Sequence, residues 1–162
     1  MRVGIMQPYF LPYVAYFQLI QHCDIFVVWD DIEYSKGGWV NRNRILLNGN
    51  PKMFTLPLSR GSDYLNIGQR AIAPEFNPAG MLSRFRHAYS HAPNWDEGSE
   101  LLHSIFKFTG ESLFNFVYRS ITEVMGYLKI NTQVVVSSEL SIDGSLSGQD
   151  RVLAVCEAVG AA

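Results

Sequence analysis

Residues 2–6 (RVGIM) open the chain as a short, mostly apolar run that predicts a first strand, and Pro8 and Pro12 then break regular structure. From residue 13 the period changes. Tyr13, Tyr16, Phe17 and Ile20 fall on one stripe, which predicts a helix over 13–22 with Pro12 at its entrance. Residues 24–29 (DIFVVW) set Ile25, Phe26, Val27 and Val28 in unbroken succession, the pattern of a strand buried on both faces. Strand, helix and strand within about 30 residues is the size of a β-α-β unit.

Residues 30–45 (DDIEYSKGGWVNRNRI) mix charges of both signs with glycine and asparagine. Apolar character returns over 44–47 and 53–58, on either side of Asn48-Gly49-Asn50-Pro51, and predicts a hairpin. Residues 69–73 suggest a further short strand. Helical spacing follows over 77–90, 99–108 and 112–128, then a third buried strand over 132–136 and a last helix over 148–159. With no repeat, low-complexity tract or linker, residues 1–162 are expected to form a single α/β domain. The predicted architecture is a Rossmann-like three-layer α/β/α arrangement with a mainly parallel sheet and an inserted β-hairpin plus helices.

Composition narrows the function classes. Hydrophobic residues make up 48% and charged ones 17%, and 13 basic against 15 acidic residues leave a net charge of -2. That balance gives no diffuse field for a polyanion, so a nucleic-acid partner is not expected. No apolar run approaches the roughly 18 to 20 residues of a bilayer span, and the first residues lack the pattern of a signal peptide. Cys23 and Cys156 have unrelated surroundings, which suits reduced thiols. The expectation is a cytoplasmic protein without membrane insertion.

Parallel strands joined by a helix cross over right-handed, so the first two strands should end on the same sheet edge, with residues 7–12 beside 30–39. Ligands of open α/β sheets bind outside that edge. Asp30 and Asp31 can hold Mg2+, orient a ribose or act as a base, and they equally suit a turn or helix cap. Lys36, Arg42 and Arg44 can neutralise phosphates or a carboxylate, or sit on a solvated edge paired with Glu33. Trp39, next to Gly37 and Gly38, can close over a base or sugar or anchor into the core. Gln7, Pro8, Tyr9, Tyr13, Tyr16, Tyr34, Asn41 and Asn43 complete the candidate binding set, against the reading that the aromatics only pack. His87 and His91 share a helical face but lack a third ligand, so no metal site is assigned. Ser145, Ser147 and Arg151 offer a further phosphate contact at a helix start, or an ordinary cap. No P-loop, G-x-G-x-x-G or G-x-S-x-G motif occurs.

The stretches "MQPYFLPYVAYFQLI", "DIFVVWDDIEYSKGGWVNRNRI" and "LSGQDRVLAVCEAVGA" resemble the WbqC-like family, bacterial proteins often associated with surface-polysaccharide loci, including O-antigen production. The resemblance covers essentially the whole chain. Members of that family continue past a helix like 148–160, so the resemblance implies that this sequence is either a natural short form or a truncated one. A second likeness is to the start of the HIGH-type nucleotidylyltransferase and pantothenate synthetase group. On it Tyr13 and Tyr16 occupy the two histidine positions and Ala15 the glycine position.

These resemblances imply a nucleotide-binding enzyme of surface-sugar biosynthesis that activates a carboxylate with ATP and transfers it to an amine. Lys36, Arg42 and Arg44 would then bind phosphates and Asp30 or Asp31 a Mg2+ ion, and the partner would be a small-molecule nucleotide or nucleotide-sugar. Tyrosines in place of histidines leave a rival from another class, a nucleotide- or sugar-binding module that kept the fold without the chemistry.

Overall fold

The protein is described here by a computed structural model covering residues 1–161. In chain order its elements are β1 (Val3–Met6), α1 (Val14–His22), β2 (Ile25–Val28), β3 (Arg42–Leu47), β4 (Asn50–Thr55), α2 (Pro78–Tyr89), α3 (Trp95–Phe106), α4 (Leu113–Tyr127), β5 (Gln133–Val136) and α5 (Gly148–Ala158). Short 3-10 turns occupy Ile67–Gln69 and Ser137–Glu139. Among these residues no helix is long and apolar enough to cross a membrane.

The class is α/β. The apolar run in β2 buries Phe26, Val27 and Val28, because β2 lies between β1 and β5 in a three-stranded parallel sheet. Met6 pairs with Val28 and Val28 with Val136, so all three strands end together. The loops after β1, β2 and β5 therefore leave the sheet from one edge. The Trp29 N–H continues the ladder to the Met6 carbonyl at 2.8 Å, past the last paired residues.

β3 and β4 form a separate antiparallel hairpin with Leu47 opposite Asn50. Its turn is the two residues Asn48 and Gly49, at φ 50° and 74°, the left-handed pair that a type I′ hairpin requires. Pro51 lies inside β4 opposite Leu46 rather than in the turn, an allowed place because β4 has no second neighbour to receive an N–H. Residues 69–73 are not a strand. They are stitched by isolated bridges, Leu58 to Ile72 and Ala71 to Ser112, so backbone hydrogen bonds are met on both sides without a ladder. Helix α3 begins at Trp95, ahead of the expected 99, with Asp96 and Glu97 in its first turn, where the helix dipole favours acids.

An aromatic cluster joins the parts. Phe10, wholly buried, lies 5.7 Å from Phe54 of β4 and 5.5 Å from Phe116 of α4, measured between ring centroids. Phe85 of α2 and Phe106 of α3 extend it, 5.1 Å from Phe54 and 5.6 Å from Phe116 respectively. The loop after β1 is thus pinned by its own Phe10, and the residues flanking Phe10 are held at the sheet edge.

Candidate functional site

The segments after β1 and β2 meet at that edge. The Phe10 N–H donates to the Trp39 carbonyl at 3.1 Å. Asn43, on β3, donates through Nδ2 to the carbonyls of Phe10 (3.1 Å) and Leu11 (2.7 Å), while its Oδ1 accepts from the Arg44 N–H at 2.8 Å. These bonds hold Leu11 at φ 45°, a conformation that a non-glycine residue rarely adopts. The result is a cleft of about 280 Å3 lined by Tyr9, Pro12, Tyr13, Trp39 and Asn43. The Arg44 guanidinium lies 5.4 Å over the Trp39 ring and enters no ion pair among the described residues.

Tyr13 and Tyr16 lie in different environments. Tyr13 precedes the first turn of α1 and is 69% exposed, while Tyr16 is 2% exposed and donates its hydroxyl to the Gln7 carbonyl at 2.9 Å. Burial, and secondarily Tyr9, push the Tyr16 hydroxyl well above its ordinary range, so it stays protonated. Pro8 is buried with it.

At the ends of β2 and β5 the carboxylates are engaged. Asp30, 5% exposed, accepts from the Ser138 N–H (3.0 Å), the Ser138 hydroxyl (2.8 Å) and the Ser137 hydroxyl (3.0 Å). Ser137 Oγ also lies 2.6 Å from Asp31 Oδ1, and with one proton it donates to one carboxylate at a time. Asp31 pairs with Arg151 of α5, whose guanidinium lies 5.9 Å from the Trp29 ring centroid. Among the described residues no three His, Cys, Asp or Glu side chains are grouped to hold a metal. A hard cation wants about six oxygen ligands, and both aspartates are already taken by hydroxyls and a guanidinium, so this donor set does not fit Mg2+ as placed.

The other basic candidates serve the loop that carries Trp39. Arg42 donates to the carbonyls of Gly37 and of Gly38 (3.0 Å for the latter). Gly37 sits at φ 92°, where a side chain would be strained. Lys36 forms an exposed ion pair with Asp63 at 2.6 Å. Beneath them the buried Tyr34 hydroxyl donates to Asn41 Oδ1 at 2.7 Å, and Asn41 Nδ2 to the Leu56 carbonyl at 2.9 Å. Arg70 stacks 4.8 Å over the Tyr34 ring. Burial raises the Tyr34 pKa, while Arg70, Arg42 and Lys36 oppose that rise.

Residues 7–162 match the model of the WbqC-like protein family, a span that holds the cleft, the carboxylate tie and all five helices. The chain belongs to the WbqC-like family. It is similar to an uncharacterized protein of Mycobacterium tuberculosis (strain ATCC 25618 / H37Rv), 29% identical over 165 residues that cover 99% of this chain and 69% of that protein. No solved structure matches.

In this WbqC-like protein the structure brings Tyr9, Tyr13, Trp39 and Asn43 around one opening, with Arg44 over the Trp39 ring. It gathers Asp30, Asp31 and Arg151 at another place on the same edge, and it commits Tyr16, Tyr34, Asn41 and Arg42 to internal bonds. His91 lies beyond the end of α2 and so does not share a helical face with His87. Sequence reasoning missed Ser137, Ser138 and Arg70. The two serines directly follow β5, an edge strand in which only Val136 is buried, at a strand end like the one that had flagged the aspartates, whereas nothing local marks Arg70.

Proposed function

We propose that this WbqC-like protein binds a nucleotide or nucleotide-sugar in the aromatic cleft and serves surface-polysaccharide sugar biosynthesis of the O-antigen type. The reading sets the cleft on a Rossmann-like sheet edge. The observation that carries it is the group of Tyr9, Tyr13 and Trp39 around one opening, with the Arg44 guanidinium over Trp39. Aromatic faces stack a base or the apolar face of a sugar ring, and an arginine without a carboxylate partner suits a phosphate. In the catalytic form of this reading, ATP activates a carboxylate that passes to an amine such as that of an amino-sugar. The cleft orients the nucleotide, and Arg44 balances phosphate charge.

One observation favours the alternative of a binding module without turnover. Asp30 and Asp31 are both engaged and Tyr16 is buried, so none of these three offers a free general base. Calorimetric titration with ATP, other nucleoside triphosphates and nucleotide-sugars tests the shared core of both readings. Saturable binding is expected, weakened about tenfold or more in Trp39→Ala, since stacking on an aromatic is worth roughly 1 to 3 kcal/mol per base. No binding across the panel would overturn the proposal. ATP consumption that requires a carboxylic acid separates the enzyme from the module.

A further inference from the structure

A second cavity, of about 260 Å3, opens between α2 and α3 and shares no residue with the aromatic cleft. The connection over 90–94 folds these helices into an αα-hairpin. α2 sends Met81 and Phe85 into the core and presents the small side chains of Ala79 and Ser83 to the gap, so the two helices leave space between them. Leu82, Trp95 and Leu102 give that space an apolar lining, while Arg86 and His103 give it basic groups.

The charge arrangement is one-sided. Helix α3 carries three acids, Asp96, Glu97 and Glu100, and none of them lines this cavity. Glu97 and Glu100 instead face the groove against α4, where the Tyr127 hydroxyl donates to Glu97 at 2.8 Å. Neither Arg86 nor His103 has an ion-pair partner among the described residues. Two of the lining groups can only donate, the Arg86 guanidinium and the Trp95 indole N–H, while the His103 ring and the Ser83 and Ser99 hydroxyls can donate or accept. A cation would meet the Arg86 charge unfavourably.

We infer that this cavity binds a small organic anion, a carboxylate or phosphate ester on a short apolar body. The body lies against Leu82, Leu102 and the Trp95 ring, and the anionic oxygens take the Arg86 and indole donors. At roughly 30 Å3 for each water-sized group, the space holds about eight heavy atoms.

The test uses the indole N–H resonances of the 15N-labelled protein, which has three tryptophans, the Trp95 signal being the one lost in Trp95→Phe. Titration with hexanoate or propyl phosphate should move that signal saturably, with a millimolar or tighter dissociation constant, while uncharged 1-hexanol should not. Arg86→Gln should weaken binding about tenfold, the loss of one charge-assisted hydrogen bond. Arg84→Gln is the matched control, because Arg84 is bonded to the Met53 carbonyl and lies outside the cavity, and it should change nothing. The inference is overturned if neither anion gives a saturable shift, if hexanol moves the signal equally, or if Arg86→Gln binds as well as the wild type. An anion that moves only the Trp39 signal would likewise overturn it, and would speak for the aromatic cleft instead.

Discussion

Tyr16 carries a hydroxyl into the core, where the Gln7 carbonyl at 2.9 Å is its hydrogen-bond partner. Burial raises its pKa above the ordinary 10.0, so at alkaline pH the folded protein holds a proton that the unfolded chain releases. The stability this contributes is complete below about pH 10 and is lost as pH rises beyond it. Urea midpoints measured from about pH 8 to 11 should therefore fall more steeply above pH 10 in the wild type than in Tyr16→Phe. At neutral pH Tyr16→Phe should be less stable by about 0.5 to 1.5 kcal/mol, the worth of its hydrogen bond. Parallel alkaline limbs in the two proteins would mean that the Tyr16 proton is not held by the fold. Tyr34 adds a smaller slope of the same sign, since nearby cations offset part of its desolvation.

The hairpin is the element that brings Asn43 to the cleft and Arg44 over Trp39, and its register hangs on the Asn48-Gly49 turn. Gly49 at φ 74° has nothing within 4 Å of an added Cβ, so Gly49→Ala tests backbone strain alone. About 1 kcal/mol is expected, seen as a thermal midpoint lowered by roughly 2 to 4 °C. A change below half a degree would show that the turn tolerates a side chain there. This turn, the β1–α1–β2 order and the valine run of β5 were all legible in the sequence, because each is encoded by local backbone preference or by period. The start of α3 was not, since Asp96, Glu97 and Gly98 interrupt the apolar stripe. Nor was residue 72 legible as a bridge rather than a strand, because the choice was made by Leu58 and its neighbours. The same divide runs through the site. Strand-edge geometry brought residues 7–12 to 30–39, but the partner of Asp31 is Arg151, 120 residues away, and no local pattern states which cation a carboxylate will find.

At the scale of the molecule, the question is whether the hairpin and the parallel sheet unfold together. Among the described residues they share no backbone ladder, and a two-stranded hairpin by itself is marginal in water. What joins them is one hydrophobic cluster that includes Phe10 after β1, Ile45 and Phe54 of the hairpin, Phe85, Phe106 and Phe116 of the helices, and Val136 of β5. Peeling the hairpin away would expose Phe54 and leave a void beside Phe10 and Phe85, so partial unfolding loses most of what the hairpin gains by docking. One transition is expected, with far-UV circular dichroism and tryptophan fluorescence coincident in urea. Phe54→Ala should lower stability by about 3 to 5 kcal/mol and shift both signals equally. A fluorescence change preceding the loss of helical signal would instead make the hairpin, and the Trp39 cleft with it, a unit that opens on its own. Ligand binding at the cleft would then be coupled to hairpin docking, and saturating ligand would pull the two transitions back together.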